Sequence, residues 1–208
     1  MDTVEKNSNV SPDARRAQII AISTKVFLDK GFSGTSMSDL AAANGIKKAS
    51  FYHHFRSKDA LFIACVISGY APAIAELERL SQAQDISARD QLRHGLDTLY
   101  EITVRSDVGR LSPLLAEVSR QMPDLATQFF DEYIALQRKT LRTIIEGGVA
   151  SGEFKRPDYD VLYHLVFGPI VTLSLSREMF AGLGDLDRAF PMDKLADGHF
   201  DAIMGLLR

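Results

Sequence analysis

The sequence predicts an all-α protein of about nine helices, with a small N-terminal domain followed by a larger helical body. Apolar residues recur at helical spacing along the chain, and no run shows the period-two alternation of a half-buried strand. Capping residues, prolines and glycines interrupt this pattern where helices should begin and end. Apolar residues make up 46% and charged residues 25% of the 208 residues, which is typical of ordinary globular domains.

The first helix is marked at both ends. Ser11 can cap it, and Pro12 suits the first helical position, where its missing N–H has no partner in any case. Gly31 follows the last periodic residue, as expected after a helix C-terminus. Residues 1–11 are polar and non-periodic, and we predict that they form a flexible tail.

Two short helices and a series of longer ones follow. They are expected at 35–43, 48–54, 58 onward, 88–106, 113–121, 124–150, 158–179 and 193–207. Pro72 should either kink the helix that begins at Lys58 or divide it in two. Gly168 and Pro169 should bend the helix over 158–179.

Charge is distributed unevenly along the chain, whose net charge is −3. Residues 1–66 carry 9 Lys/Arg and 6 Asp/Glu, whereas residues 67–208 carry 15 and 21. A basic module on an acidic body favours a nucleic-acid partner for the first part. The start of the chain lacks the apolar core of a secretory signal, and no membrane partner is expected. Cys65 is the single cysteine, which favours a reducing cytoplasm.

The segment 35–55 carries the main functional motif, two short helices joined by a tight turn. Gly45 lies where the chain must turn sharply, and Ile46 is expected to plug the turn into the core. Phe51 and Phe55, four residues apart, should anchor the second helix. Its other face carries Lys47, Lys48, Ser50, Tyr52 and His53. Cations and donors of this kind suit a phosphate backbone and base edges, although a solvated helical hairpin is the alternative.

The motif and the residues around it resemble the sequence pattern of a known family. The stretch 17–61 resembles the TetR family of one-component bacterial regulators. The matching pieces are Ile-Ile-Ala-Ile-Ser-Thr-Lys-Val-Phe at 19–27, Lys-Gly-Phe at 30–32, Thr-Ser-Met-Ser-Asp-Leu-Ala at 35–41, Asn-Gly-Ile at 44–46, Phe-Tyr-His-His-Phe at 51–55 and Ser-Lys-Asp-Ala-Leu at 57–61. The resemblance implies a helix-turn-helix DNA-binding domain over 12–56 and an effector-binding and dimerisation domain over 57–208.

The resemblance also implies a set of DNA contacts. They are Thr35, Ser36, Met37, Lys47, Lys48, Ala49, Ser50, Tyr52, His53 and Lys58. Tyr52 and Lys58 are expected on phosphates, with Lys48, Ser50 and His53 on base edges. Lys47 stands where the family usually has a capping serine or threonine, and losing that cap should cost about 1 kcal/mol.

Two further sites in the body follow from the resemblance. An apolar effector pocket is expected to involve Phe62, Leu96, Leu99, Tyr100, Phe129, Tyr133, His164 and Phe167. An aromatic stripe at helical spacing is more often solid core, so ordinary core is the alternative for each. A homodimer interface is expected to involve Ile170, Leu173, Phe200, Ile203, Met204 and Leu207.

The leading hypothesis is a homodimeric repressor that a small, largely apolar effector releases from a near-palindromic DNA operator. The alternative is an architectural or cell-cycle DNA-binding protein of similar build without an effector. An enzyme is disfavoured, because no G-x-S-x-G elbow, Walker loop, H-E-x-x-H or dinucleotide fingerprint occurs. No cofactor or metal is expected, since the adjacent His53 and His54 diverge by about 100° on a helix.

Overall fold

A computed structural model describes residues 11–208, and every regular element within them is helical, which confirms the all-α fold class. The predicted tail lies outside the described residues except for Ser11. The helices are α1 (Pro12–Lys30), α2 (Met37–Ala43), α3 (Lys48–His54), α4 (Lys58–Gln82), α5 (Ala88–Tyr100), α6 (Leu111–Val118), α7 (Pro123–Phe129), α8 (Ala135–Ser151), α9 (Tyr159–Met179), α10 (Leu186–Ala189) and α11 (Met192–Leu207).

Two π-helical turns modify this arrangement. Glu101–Arg105 extends α5 by one wide turn. Phe130–Ile134 joins α7 to α8, so that these two helices run on as one. The single helix predicted over 124–150 is therefore present, but with a π turn near its middle.

The chain divides into two compact units after Cys65, within α4. The boundary expected from the sequence lies earlier, between residues 56 and 57 at the start of α4. The first eight residues of α4 therefore belong to the same unit as α1, α2 and α3, where Leu61 and Phe62 are fully buried.

An aromatic cluster forms the centre of the first unit. The rings of Phe27 and Phe32 each lie 5.1 Å from the ring of Phe62 in an edge-to-face arrangement. Burying one such side chain contributes about 1.5–3 kcal/mol. These contacts fix α1 against the start of α4.

The second unit is built on α5, α8, α9 and α11, whose facing sides form one apolar core. Glu153 ties this unit together at the start of α5, where its two carboxylate oxygens accept hydrogen bonds from the backbone N–H groups of Ala88 and Arg89 at 3.2 Å. Gly152 makes this possible by ending α8 with a φ of +81°. The Gly-Glu segment is therefore a structural link rather than part of a site.

Helix α6 begins earlier than the sequence predicts, at Leu111 rather than Pro113. Ser106 accounts for this difference, because its hydroxyl accepts from the N–H of Val108 and starts a 3-10 turn that leads directly into α6. Pro72 does not divide α4, and α9 likewise continues through Pro169.

Helix α4 is the one helix of residues 11–208 with the length and composition to cross a membrane, and 44% of its most apolar window is buried inside the protein. Such burial is typical of a core helix in a globular protein. Its Cys65 is a free, fully buried thiol. Burial raises the pKa of Cys65 to about 12, so the thiol stays protonated and unreactive near neutral pH.

His199 on α11 connects three helices of the second unit. Its Nε2 lies 2.8 Å from the carbonyl oxygen of Leu165 on α9, and its Nδ1 lies 3.0 Å from the hydroxyl of Tyr100 on α5. A carbonyl can only accept, so Nε2 carries the proton and Nδ1 of the neutral ring accepts from Tyr100. Burial lowers the pKa of His199 below its usual value.

We expect this histidine to make the protein less stable in mild acid. A lowered pKa means that the unfolded chain takes up the proton first, so the stabilising contribution is complete above about pH 6.5 and is lost as the pH falls below it. Urea unfolding between pH 8 and pH 5 should show a shallower pH dependence for His199→Gln than for the parent. His94→Gln, at an exposed position on α5, is the matched control and should keep the parent dependence. Equal slopes for all three proteins would contradict this role.

Candidate functional site

The turn between α2 and α3 is formed by a glycine and a buried amide. Gly45 has a φ of +64°, a region that residues with a Cβ rarely adopt. The side-chain N–H groups of Asn44 donate to the hydroxyl of Ser23 at 3.2 Å and to the carbonyl of Leu40 at 2.8 Å. Asn44 is thus buried at this turn, and Ile46, expected to plug the turn, is partly buried beside it.

The start of α2 is fixed by a capping box. The backbone N–H of Asp39 donates to the Ser36 hydroxyl at 3.1 Å, and the Asp39 carboxylate accepts in return from the backbone N–H of Ser36 at 3.0 Å. The Ser36 hydroxyl and the Lys30 ammonium, 3.1 Å away, hold the pKa of Asp39 down to about 2. Thr35 is buried and its hydroxyl donates to the carbonyl of Gly31 at 2.7 Å. Its side chain is thus engaged inside the unit and does not offer the surface contact expected from the sequence.

Two arginines of α1 hold the second half of the motif in place. The guanidinium of Arg15 donates to the carbonyl of Asn44 at 3.2 Å, and that of Arg16 donates to the carbonyl of His54 at 3.0 Å. Arg16 also lies 4.1 Å from the ring centre of Phe55. Sequence reasoning missed both arginines, although an adjacent basic pair at the start of α1 was visible. Both arginines thus hold α1 against the turn and against the end of α3.

The outer side of α3 is solvent-exposed. Phe51 and Phe55 are buried, as expected of anchors. The exposed residues are Lys47, Lys48, Ala49, Ser50, Tyr52 and His53. Lys47 begins the helix without a side-chain cap, as the sequence predicts. This surface, which we call the α3 face, brings two ammonium groups, two hydroxyls and an imidazole together on one short helix.

Lys58 is the first residue of α4 and Met37 the first residue of α2, and both have partly buried side chains. The ammonium of Lys58 donates to the carbonyls of Phe32 and Thr35 at 2.8 and 3.0 Å, and it lies 4.1 Å from the Phe32 ring centre. An ammonium has three N–H donors, so one remains for a ligand. Lys58 therefore holds the loop before α2 and can still meet an anion.

The second unit contains a cavity of about 510 Å³. This volume falls within the roughly 300–1,000 Å³ of pockets that take small organic molecules. Five residues expected in an effector pocket line it, namely Leu99, Phe129, Tyr133, His164 and Phe167. Its other lining residues are Tyr70, Thr103, Ser112, Leu115, Ala116, Ile134, Gln137, Tyr163, Gly168, Ile170, Val171, Thr172 and Leu175.

Three other residues predicted for the pocket lie elsewhere. Phe62 belongs to the aromatic core of the first unit, and Leu96 to the core of the second. The hydroxyl of Tyr100 is hydrogen-bonded to His199, outside the cavity. Apolar spacing identifies a buried helix side but does not tell a packed side from one that faces a cavity, which is why these three were included.

The residues predicted for the dimer interface are buried in the core of their own chain. Ile170, Leu173, Phe200, Ile203, Met204 and Leu207 are all at most 8% exposed. This prediction is corrected, because these side chains have no surface to offer a second chain. The exposed apolar residues of the same two helices are Val161, Leu165, Val171 and Met179 on α9, and Leu195 and Leu206 on α11.

Small residues accompany these exposed side chains. A Cβ atom added at Gly168, Gly198 or Gly205 would have no neighbour within 4 Å in the described chain. His199 bonds α11 to α9, and we call the exposed residues of these two helices the α9–α11 face. Within residues 11–208, no group of three or more His, Cys, Asp or Glu side chains is placed to hold a metal ion.

Comparison with known proteins relates both units to one family. Residues 19–65 match the family described as bacterial regulatory proteins, tetR family, and residues 86–190 match the tetracyclin repressor-like C-terminal domain. The HTH-type transcriptional repressor KstR2 of Mycolicibacterium smegmatis is 30% identical over 162 residues, covering 72% of each chain.

Solved structures agree on the fold. A putative TetR-family transcriptional regulator from Mesorhizobium loti has a TM-score of 0.75 at 22% identity, covering 93% of this chain and 96% of its own. The regulator FadR from Bacillus subtilis, in complex with stearoyl-CoA, has a TM-score of 0.71 at 17% identity, covering 92% and 99%. With its helix-turn-helix unit and its helical body both matched, the chain belongs to the TetR family of DNA-binding bacterial transcriptional regulators.

Proposed function

We propose that the protein is a homodimeric repressor that binds a near-palindromic operator and leaves it when a small, largely apolar molecule fills the cavity. The observation that carries the DNA-binding part is the α3 face, where every predicted contact on α3 is exposed while both phenylalanine anchors are buried. Such a helix enters the major groove with its polar side toward the bases. The reduced, buried Cys65 fits a site of action in the cytoplasm.

The proposed contacts divide into two kinds. Lys48, Ser50 and His53 read base edges, since all three are exposed and can donate hydrogen bonds. Tyr52, Lys47 and the remaining donor of Lys58 bind phosphates, joined by the backbone N–H of Met37 at the start of α2. Ser36 serves as the cap of α2, because its N–H and its hydroxyl both bond to the Asp39 carboxylate. Ala49 contributes its small size, which lets the helix approach the bases. Thr35 makes no contact of its own, because its hydroxyl donates to Gly31, its N–H donates to Phe32 and its carbonyl accepts from Lys58.

The proposed partner on the α9–α11 face is a second copy of the chain. Exposed apolar side chains beside glycines allow two helix pairs to approach closely and form a four-helix bundle about a two-fold axis. A two-fold dimer presents two α3 helices to successive major grooves, and the operator is then near-palindromic.

The cavity favours a ligand-responsive regulator over an architectural DNA-binding protein, because a purely structural body would be densely packed. The related KstR2 is a repressor, and the structural neighbour FadR binds stearoyl-CoA, which supports a repressor with a small-molecule effector. The effector shifts the equilibrium only by its difference in affinity for the DNA-binding and released states.

The test begins with selection of duplexes from a random DNA pool by the purified full chain. We expect an inverted repeat to be enriched, and its affinity, measured by fluorescence anisotropy, to fall roughly a thousandfold between 50 and 200 mM salt as counterions are released. A scrambled duplex of the same composition is the control. Enrichment of no sequence, or an affinity that does not change with salt, would overturn the proposal.

A further inference from the structure

Several residues that line the cavity carry hydroxyl groups, and two of these groups are on neighbouring aromatic rings. The rings of Tyr70 and Tyr133 are 4.5 Å apart, and that of Phe129 lies 5.5 and 5.0 Å from them. The Tyr70 hydroxyl lies 2.6 Å from that of Ser112, and Thr103 lines the same cavity near the Tyr133 hydroxyl. These hydroxyls, on Ser112, Tyr70, Tyr133 and Thr103, form what we call the hydroxyl row, and the rings beside it are aromatic.

The cavity lining carries no permanently charged side chain. Among its lining residues that the structure describes, none is Lys, Arg, Asp or Glu, and the one histidine, His164, has its Nδ1 2.8 Å from the carbonyl oxygen of Asp160. Burial raises the pKa of both Tyr70 and Tyr133, so both phenols stay protonated and neutral. A carboxylate or phosphate placed here would lose hydration without gaining a lysine or arginine partner, which is unfavourable. The lining therefore fits an uncharged molecule.

Both π turns contribute residues to the lining of this cavity. Thr103 is the central residue of the turn Glu101–Arg105, in which the N–H of Ser106 bonds the Glu101 carbonyl five residues back. Tyr133 lies in the turn Phe130–Ile134 of the other helix. π turns are rare and occur frequently at functional sites. Two separate helices thus depart from regular geometry at two residues, Thr103 and Tyr133, that both line the cavity.

We propose that the cavity takes a neutral, largely apolar molecule with a hydroxyl or carbonyl group, and that the Tyr133–Thr103 pair, set by the two π turns, recognises that group. The inference rests on the proposed function only in treating the cavity as the effector site. The aromatic rings and aliphatic side chains bury the apolar part of the molecule. The hydroxyl row gives the orientation, because a phenol can donate to a carbonyl and can also accept from a hydroxyl. Tyr133 and Thr103 are thus specificity-determining residues.

Binding of two fluorescent probes to the full chain tests the polar contact. Prodan is a neutral naphthalene ketone, whereas diphenylhexatriene is a hydrocarbon with no hydrogen-bonding group. Tyr133→Phe should weaken prodan binding about 5- to 10-fold and shift its bound emission to the blue, because the ketone loses a hydrogen bond. The affinity for diphenylhexatriene should stay within about 2-fold of the parent value, since Tyr133→Phe keeps the aromatic ring against which the hydrocarbon packs. Tyr100→Phe, outside the cavity, is the matched control and should change neither probe.

A second variant and a second pair of probes complete the design. Thr103→Val should give the same selective loss, so the test holds even where one variant folds poorly. Parinaric methyl ester should bind at least 10-fold more tightly than parinaric acid at pH 8, where the acid is anionic. Equal loss of both probes, an unchanged prodan affinity in both variants, or parity between ester and acid would overturn the inference.

These measurements contain no DNA, so the two proposals can fail separately. Selective probe binding without any effect of apolar ligands on operator affinity would contradict only the proposed function. Operator release by a ligand whose binding is indifferent to Tyr133 and Thr103 would contradict only the inference about the hydroxyl row.

Discussion

Replacing Lys48 and Tyr52 together with alanine is expected to reduce operator affinity by at least 100-fold. Each side chain is exposed on the α3 face, and one lost base or phosphate contact costs about 1–3 kcal/mol. The dimer repeats the loss in both half-sites. Anisotropy with the selected operator measures the effect, and circular dichroism should show unchanged helix content, because neither side chain supports the core.

The matched control for this double variant is Lys139→Ala, an exposed-lysine change on α8 in the other unit. It removes the same charge and should leave affinity within about 2-fold. The salt dependence gives a second readout, since losing phosphate contacts should make the fall of affinity with salt less steep. Wild-type affinity in the double variant would show that DNA is read by some other surface.

Placing acidic residues on the α9–α11 face is expected to abolish both dimerisation and tight operator binding. In Leu165→Glu with Leu206→Glu, two exposed apolar side chains become charges that a second copy would have to bury. Light scattering should then give the chain mass of 23.0 kDa instead of twice that value. Operator affinity should fall roughly 100-fold or more, because two linked DNA-binding units bind an operator far more tightly than one.

Leu183→Glu is the control for this second experiment. Leu183 is 50% exposed, similar to the substituted residues, but lies in the segment after α9, outside both helices of the α9–α11 face. It should remain dimeric and bind the operator normally. If the doubly substituted chain stays dimeric, the partner surface lies elsewhere. If it is a monomer that binds the operator with full affinity, the operator is not bound by two DNA-binding units of a dimer.

The sequence predicted the helix-turn-helix closely because its signals are local. Each signal affects only residues a few positions away in the sequence. The signals are the glycine at the turn, the serine before α2 and the two phenylalanines four residues apart. Asn44 was missed because its burial depends on Ser23, twenty-one residues earlier in the chain. A polar side chain becomes acceptable in a core only when the fold supplies its partner.

The residues predicted for the partner surface are buried within their own chain, for a different reason. Helix α9 is apolar on more than one side, with Ile170 buried and Leu165 exposed. Hydrophobicity alone cannot tell which side packs within the chain and which is left for another molecule. The five pocket residues that line the cavity were found by their resemblance to a family with such a pocket. The hydroxyls of Tyr70, Thr103 and Ser112 were not found, because a π turn and a distant helix bring them there.

The π turn between α7 and α8 has a consequence for how this protein tolerates change in length. A π turn is an α-helix with one extra residue, so deleting a single residue within 130–134 restores a regular helix and keeps the faces of α7 and α8 in register. A deletion elsewhere within α8 would rotate the residues that follow it in the helix by about 100°. The chain can therefore become shorter by one residue at Phe130–Ile134 while both flanking helices keep their packing, and the change falls on the cavity wall that Tyr133 forms.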